Sequence, residues 1–276
     1  MPSRAVRIVA AMAPLAALVA AAFLPGFIPF AAGPHGGQVW SGTFPGSERA
    51  GYVYLPPGFA TSQRYPVVYL LHGMPGSPSE YLDGTQLAAF ADEGIASGTL
   101  RPFIAVVPAA GSNRAYNGEW AGPWERDLVE SIVPWVDSTL PTIATRDGRV
   151  IAGLSAGGYG AADIGIRNAR LFGAIESWSG YFRPLNDGPF KDASRSVLAA
   201  NDPRRLLHLD DRALAGTRFF VSSGPYHSHW FRPAETVAFA REAQSLGLSV
   251  TLRLYSSKQG EWRAQFDDGL RWAFGR

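Results

Sequence analysis

The chain has 276 residues, 46% of them apolar, a formal charge of +2 and no cysteine. That length and apolar content suffice for one α/β domain with a large core. The lack of cysteine excludes disulfides, thiolate zinc sites and iron–sulfur clusters; Arg4 and Arg7 alone supply the positive excess, so no basic face for nucleic acid is evident.

Those two arginines precede an uncharged, apolar stretch from Ile8 to Ala32, the pattern of an export signal. It is long enough to span a bilayer, for which about 20 residues suffice. Against a continuous helix stand Pro14, Pro25 and Pro29, and small residues before Gly33 offer a cleavage site. Residues 1–32 are therefore expected to be a signal peptide or membrane anchor, 33–37 a linker and 38–276 a single domain held at the cell envelope or secreted.

Next, "QVWSGTF" and "RAGYVYL" flank "PGSE" as an opening hairpin. "YPVVYLLHG" and "FIAVVP" read as buried strands around "TQLAAFADEGIASG", a helix with Thr85 as its expected N-cap. "WERDLVESIVPWVDSTL" predicts a helix with Leu128, Ile132, Val133 and Val136 on one face; Asp127 on it reads as structural. "GRVIAG", "FGAIESWSG", "TRFFVSSG" and "SVTLRLYSS" supply four more strands, with helices at 156–168, 233–246 and 262–274. Alternation of this kind predicts βαβ units and a mostly parallel sheet with helices on both faces, whose ligands bind at the carboxyl ends of the strands. The polar stretch 181–217, broken by prolines, reads as an excursion near the site.

Gly153-Leu154-Ser155-Ala156-Gly157 lies between an apolar strand and a small-residue helix. A bare Gly-x-Ser-x-Gly occurs by chance about 0.27 times in a chain of this composition, so the placement carries the signal: a sharp strand-to-helix turn holds Ser155 above the sheet as a nucleophile. The free N–H of Ala156 at the helix start and that of Met74, in "YLLHGMPG", are the expected oxyanion donors. His72 is expected on the same loop, in a structural or substrate-facing role.

At these motifs the chain resembles the esterase group of the α/β-hydrolase superfamily that includes antigen 85 mycolyltransferases, feruloyl esterases, enterochelin esterase and S-formylglutathione hydrolase. The resemblance covers residues 38–275, through the hairpin, "LLHGMPGS", "WERDLVESIVPWVDSTLPT", "IAGLSAGGYGA", "FGAIESWSGYF" and "WRAQFDDGLRWAF". It implies an α/β-hydrolase fold, a catalytic acid after the strand "RFFVSSG", and a catalytic histidine a few residues before Trp262.

Neither is present. The histidine position falls near Ser257, and no Asp or Glu lies between Arg218 and Arg232. A serine hydroxyl needs a base to accept its proton as it attacks. Of the five histidines, His35 follows the targeting segment, His208 lies in the excursion and His72 is assigned to the oxyanion loop, which leaves His227 and His229 in "SSGPYHSHWF", just past the strand tip beside the nucleophile. We therefore expect an exchanged triad: Ser155 as nucleophile, His229 or His227 as base and Glu261, in "KQGEW", as the carboxylate that orients the imidazole. Two other readings stand beside it, histidines that merely pack at a strand end in a non-catalytic binding protein, and a His-x-His metal pair that lacks an evident third ligand. No cofactor or metal is expected.

Such a site implies acyl transfer through a serine ester, with water or an alcohol as acceptor, the latter as in mycolyltransferases. Trp178, Tyr181, Phe182, Trp230 and Phe231 offer aromatic surface for an acyl group, flanked by Arg183 and Arg232. "HSHWF" and "KQGEWRAQFDDGL" also resemble bacterial envelope hydrolases of aminoacylated phosphatidylglycerol. The expected partner is accordingly a small-molecule or lipid ester, with the membrane engaged through an uncleaved N-terminal segment.

Overall fold

A computed structural model of the protein describes residues 24–110, 120–209, 211–225, 232–257 and 261–276. Nine strands form one sheet in the order β1-β2-β3-β5-β4-β6-β7-β8-β9. They are β1 (Phe27–Ala32), β2 (Gln38–Phe44), β3 (Arg49–Leu55), β4 (Val67–Leu71), β5 (Ile104–Pro108), β6 (Arg149–Leu154), β7 (Ala174–Trp178), β8 (Arg218–Ser223) and β9 (Ser249–Leu254). The first three are antiparallel, as is the β3–β5 pair, and the six from β4 to β9 run parallel. This is the mostly parallel sheet expected from the alternation of apolar runs and helices, and the α/β-hydrolase fold that the resemblance implies.

The helices are α1 (Leu87–Ala96), α2, built from the consecutive segments Pro123–Arg126, Asp127–Ile132 and Val133–Thr139, α3 (Ala156–Arg167), the short α4 (Arg195–Ala200), α5 (Pro203–Leu206) and α6 (Asp211–Leu214), then α7 (Pro233–Ser245) and α8 (Glu261–Phe274). One core lies on the face covered by α2, α3 and α7, with Ile132, Val136, Ile164 and Phe239 buried in it. The other lies under α1 and α8 and holds Leu87, Phe90, Phe266 and Leu270. Leu128, Ile132, Val133 and Val136 are all buried, as their spacing requires. Pro134 is tolerated because the helix is π-wound over the six residues before Val133, which absorbs the lost N–H. Asp127 pairs with Arg49 at 2.5 Å, and that guanidinium also sits 3.8 Å from the Trp124 ring centre, tying α2 to the hairpin in the structural role read for it.

Two expectations change. The apolar run up to Ala32 reads as targeting in sequence, but Phe27–Ala32 is the edge strand β1, paired with β2, and Leu24 and Phe27 are buried. Phe27 packs against Phe44 at 5.0 Å and Trp135 at 5.3 Å, contacts that hydropathy along the chain cannot foresee. Nor is 33–37 a loose linker: the N–H groups of His35 and Gly37 donate to the buried Asp92 carboxylate at 2.8 and 3.0 Å, and the Tyr54 hydroxyl donates to it at 2.8 Å. The folded domain thus begins no later than Leu24; residues 1–23 lie outside the described residues. Among the described residues no helix is long and apolar enough to cross a membrane.

Thr85 does not cap α1. Its hydroxyl donates back to the Tyr81 carbonyl at 2.7 Å and closes a π-helical turn, Glu80–Gly84, while Gln86, in a left-handed conformation, precedes the helix. A threonine four residues after a free carbonyl bonds back to that carbonyl in preference to capping the next helix. The excursion 181–217 is the stretch that carries α4, α5 and α6, and it packs on α3: the Tyr159 hydroxyl donates to the Asn201 carbonyl at 2.7 Å.

Candidate active site

Ser155 stands between β6 and α3 at φ 59°, ψ −118°, a conformation that side-chain-bearing residues rarely adopt. The surroundings over-determine it. Its N–H donates to the Trp178 carbonyl at 2.9 Å, and its own carbonyl accepts from Tyr159 N–H at 3.0 Å. Gly157 is pressed so close to the Leu71 carbonyl that no Cβ fits there, which lets the first turn of α3 sit against the end of β4. The result is a sharp strand-to-helix turn at Ser155, with the helix N-terminus behind it and the Ala156 N–H lacking an intrahelical acceptor.

The loop after β4 faces this turn. A Cβ on Gly73 would lie 3.3 Å from Cβ of Ser155 and 3.8 Å from its Oγ, so the Gly73-Met74 backbone borders Ser155. None of the described residues accepts a backbone hydrogen bond from the Met74 N–H. Both expected oxyanion donors therefore border Ser155.

His72 shapes this loop from within and does not face substrate. Its ring is buried; Nε2 accepts from Ala110 N–H at 3.0 Å, so Nδ1 carries the proton and donates to the Gly73 carbonyl at 2.8 Å. Burial holds the imidazole below its ordinary pKa, opposed by the Gly73 carbonyl. Trp120 N–H donates to the His72 carbonyl at 2.9 Å, and the rings meet edge-on at 5.2 Å. Of the two roles left open for His72, the structural one stands.

Trp178 is likewise corrected. It is buried in the core, its indole N–H donating to Glu176 at 3.0 Å, because strand alternation turns it below the sheet surface. Phe182 is also core, stacked 4.0 Å from Phe239. Tyr181 is buried beside Ala156 and stacks on Tyr159 at 5.2 Å, supporting the first turn of α3. Arg232 is exposed at the start of α7, and Arg183 lies 3.8 Å from Glu235. His227, His229, Trp230 and Phe231 lie outside the described residues.

A cavity that reaches Leu154, the residue before Ser155, is one that residue patterns do not announce. Its volume is about 330 Å³, and it lies between the Glu80–Gly84 turn, Leu154 and the first turn of α8, lined by Glu80, Tyr81, Asp83, Trp262 and Arg263 among others. In sequence Trp262 serves only as a landmark for the absent histidine; its place beside Glu261, at the start of α8, is the signal that could have found it. Another hollow, about 440 Å³, opens between α2 and the far end of α3, where Arg167 meets Glu125 at 2.8 Å, about three turns from Ser155.

Glu261, the carboxylate the sequence assigns to the imidazole, lies at the end of β8. Glu261 opens α8, is buried, and lies so tightly against Gly224 that a Cβ there has no room. Gly224 follows β8 directly and leads into the segment that carries His227 and His229. One turn further along α8, the buried Gln265 carbonyl accepts from the Ser222 hydroxyl at 2.7 Å, and its amide donates to Ser179 Oγ at 2.9 Å. Ser179 Oγ in turn accepts from Gly224 N–H at 3.2 Å. This network binds the start of α8 to the strand ends, and through Trp178 to the Ser155 amide. Ser257, where the family keeps its histidine, is exposed beyond β9. Among the described residues no cluster of His, Asp or Glu has the arrangement of a metal site.

Residues 41–273 match the family described as "Putative esterase". The chain belongs to this esterase family. Among curated proteins it is 34% identical over 135 residues to Esterase Rv1288 of Mycobacterium tuberculosis, covering 46% of this chain and 28% of the relative. It is 31% identical over 137 residues to an endo-1,4-beta-xylanase/feruloyl esterase of Xylanibacter ruminicola, covering 46% and 19%. The chain thus spans well under half the length of these relatives. Among solved structures a ferulic acid esterase superposes with TM-score 0.75 at 25% identity, over 86% of this chain and 97% of that one. An S-formylglutathione hydrolase from Agrobacterium tumefaciens superposes with TM-score 0.66 over 90% and 98%, at 18% identity, a likeness of fold.

Proposed function

We propose that the protein is an exported serine esterase that cleaves a carboxylic ester through an acyl-Ser155 intermediate. The observation that carries this reading is the forced positive-φ conformation of Ser155 at the head of α3, facing the Gly73-Met74 backbone. Membership in an esterase family and likeness to feruloyl esterases support the reaction class.

In this reading Ser155 Oγ attacks the ester carbonyl while an imidazole from His229 or His227 takes its proton. Negative charge that develops on the carbonyl oxygen is met by the N–H groups of Met74 and Ala156, fixed before reaction and partly shielded from water. Collapse expels the alcohol, protonated by the imidazolium, and water, activated by the same ring, releases the acid. Glu261 holds the imidazole in the tautomer that accepts from serine. Its burial against Gly224, at the root of the histidine segment, supports the exchange of acid and base between two neighbouring loops.

For substrate we propose an envelope ester, either a lipid or an aminoacyl ester, consistent with the apolar, arginine-led segment before Leu24. Cleavage of that segment upstream of Leu24 would leave β1 intact. Incubation with a fluorescent fluorophosphonate tests the central step: wild type takes one label, on Ser155, and the Ser155→Ala variant takes none. An unlabelled wild type would instead favour an exported binding protein that kept the fold and lost the chemistry.

A further inference from the structure

The backbone donor at Met74 is useful only if the loop from Gly73 to Ser77 is held still, since an oxyanion donor displaced by an ångström loses most of its effect. One edge of that loop is fixed by residues already described: the Tyr81 hydroxyl donates to the Leu71 carbonyl at 2.8 Å, and His72 holds the Gly73 carbonyl. The outer edge wraps around a carboxylate. A Cβ on Gly76 would lie 2.5 and 2.8 Å from the two oxygens of Glu80, and 2.5 Å from the Gly73 carbonyl, so the loop closes on Glu80 with no spare room. Burial raises the pKa of this carboxyl above its ordinary value, opposed in part by backbone hydrogen bonds from Gly73 and Ser77. Its own N–H donates back to the Ser77 carbonyl at 3.1 Å, and Ser77 and Ser79 share a hydroxyl hydrogen bond of 2.8 Å.

We propose that Glu80 is a positioning residue for the oxyanion hole: its carboxylate gathers the Gly73 and Ser77 amides that flank Met74 and so leaves the Met74 N–H as this loop's donor toward Ser155, beside that of Ala156. The inference rests on the reading of Ser155 as nucleophile. It accounts for two features that the nucleophile alone does not: a carboxylate half-sunk beside an ester-cleaving site, and a loop glycine that contacts it. Glu80 does not touch the reacting atoms; it acts through the backbone.

The test is steady-state hydrolysis of 4-nitrophenyl butyrate by the full chain with Glu80→Gln and Glu80→Asp, together with hydrogen exchange of the 73–77 amides. Glu80→Gln is expected to lower kcat about 10-fold or more with KM within about threefold, since a transition-state interaction is weakened and ground-state binding is not. Glu80→Asp, which keeps the charge but shortens its reach, should fall between it and wild type, and exchange at Gly73 and Ser77 should quicken in both. A kcat within about twofold of wild type, a rise in KM alone, or loss of activity only in proportion to lost thermal stability in both variants would overturn the role of Glu80. Wild type that neither hydrolyses the ester nor takes a fluorophosphonate would remove the nucleophile itself, a failure distinct from an active wild type with an indifferent Glu80.

Discussion

The two halves of the site are built by different means. On the β4–β6 side, geometry is set by backbone: a strained turn at Ser155, a glycine without room for a methyl group at 157, and a loop clamped by His72, Tyr81 and Glu80. On the β7–β8 side it is set by side chains: Glu261 against Gly224, and Gln265 joined to Ser179 and Ser222. Backbone geometry tolerates no change of residue without strain, whereas a side-chain constellation is exchangeable so long as the same groups reach the same points. That difference explains why the turn at Ser155 follows the family pattern while no histidine stands near Ser257 and no Asp or Glu lies between Arg218 and Arg232.

The sharpest way to break the contrast is Ser155→Ala, expected to cut ester hydrolysis by about 10⁴-fold or more with thermal stability kept, measured by initial rates and a melting curve. Next come His227→Ala and His229→Ala separately. One should lower kcat by about 10³-fold and the other by little, because only one ring can occupy the position beside the serine; equal, small effects would dissolve the exchanged triad. Glu261→Gln keeps shape but loses the charge that orients the ring, and kcat is expected to fall about 10²-fold with KM nearly unchanged.

On the backbone side, Gly157→Ala should cost about 3 kcal/mol or more in a denaturant titration, since the added methyl meets the Leu71 carbonyl and neither strand nor helix can retreat. The smallest effect concerns Glu176, buried below the site, whose carboxyl is pushed up to about 8 by burial, with the Trp178 N–H and Arg218 opposing. The folded state keeps a proton that the unfolded state releases at the ordinary 4.5. Its contribution to stability is therefore present in full below that value and is lost as pH rises toward 8. Asp163, also raised to about 8 by burial, titrates over the same window. Glu176→Gln should flatten part of the decline, raising Tm at about pH 8 relative to wild type by about 2–4 °C.

How far the sequence reaches follows the same division. Strands from β2 onward, the helices α1, α2, α3, α7 and α8, and the turn at Ser155 are legible because period, glycine placement and strand-to-helix order are local signals, whereas the short α4, α5 and α6 carry too little periodicity to show. β1 is hidden because an apolar edge strand and the end of a leader have the same hydropathy, and only the contacts of Phe27 with Phe44 and Trp135 separate them. Trp178 reads as facing substrate, and the role of His72 stays open, because proximity in sequence to the motif does not tell which way the backbone turns a side chain. Glu80 escapes notice since its partners are main-chain groups, which leave no mark in the pattern of residue types.

The most direct measurement is the rate of fluorophosphonate labelling of Ser155 in wild type and in the double variant His227→Ala/His229→Ala, with the labelled peptide identified by mass spectrometry. An exchanged triad predicts labelling of wild type at Ser155 alone and a rate at least about 100-fold lower without both rings. Labelling of the double variant at the wild-type rate would contradict it, and would place the base elsewhere in the molecule.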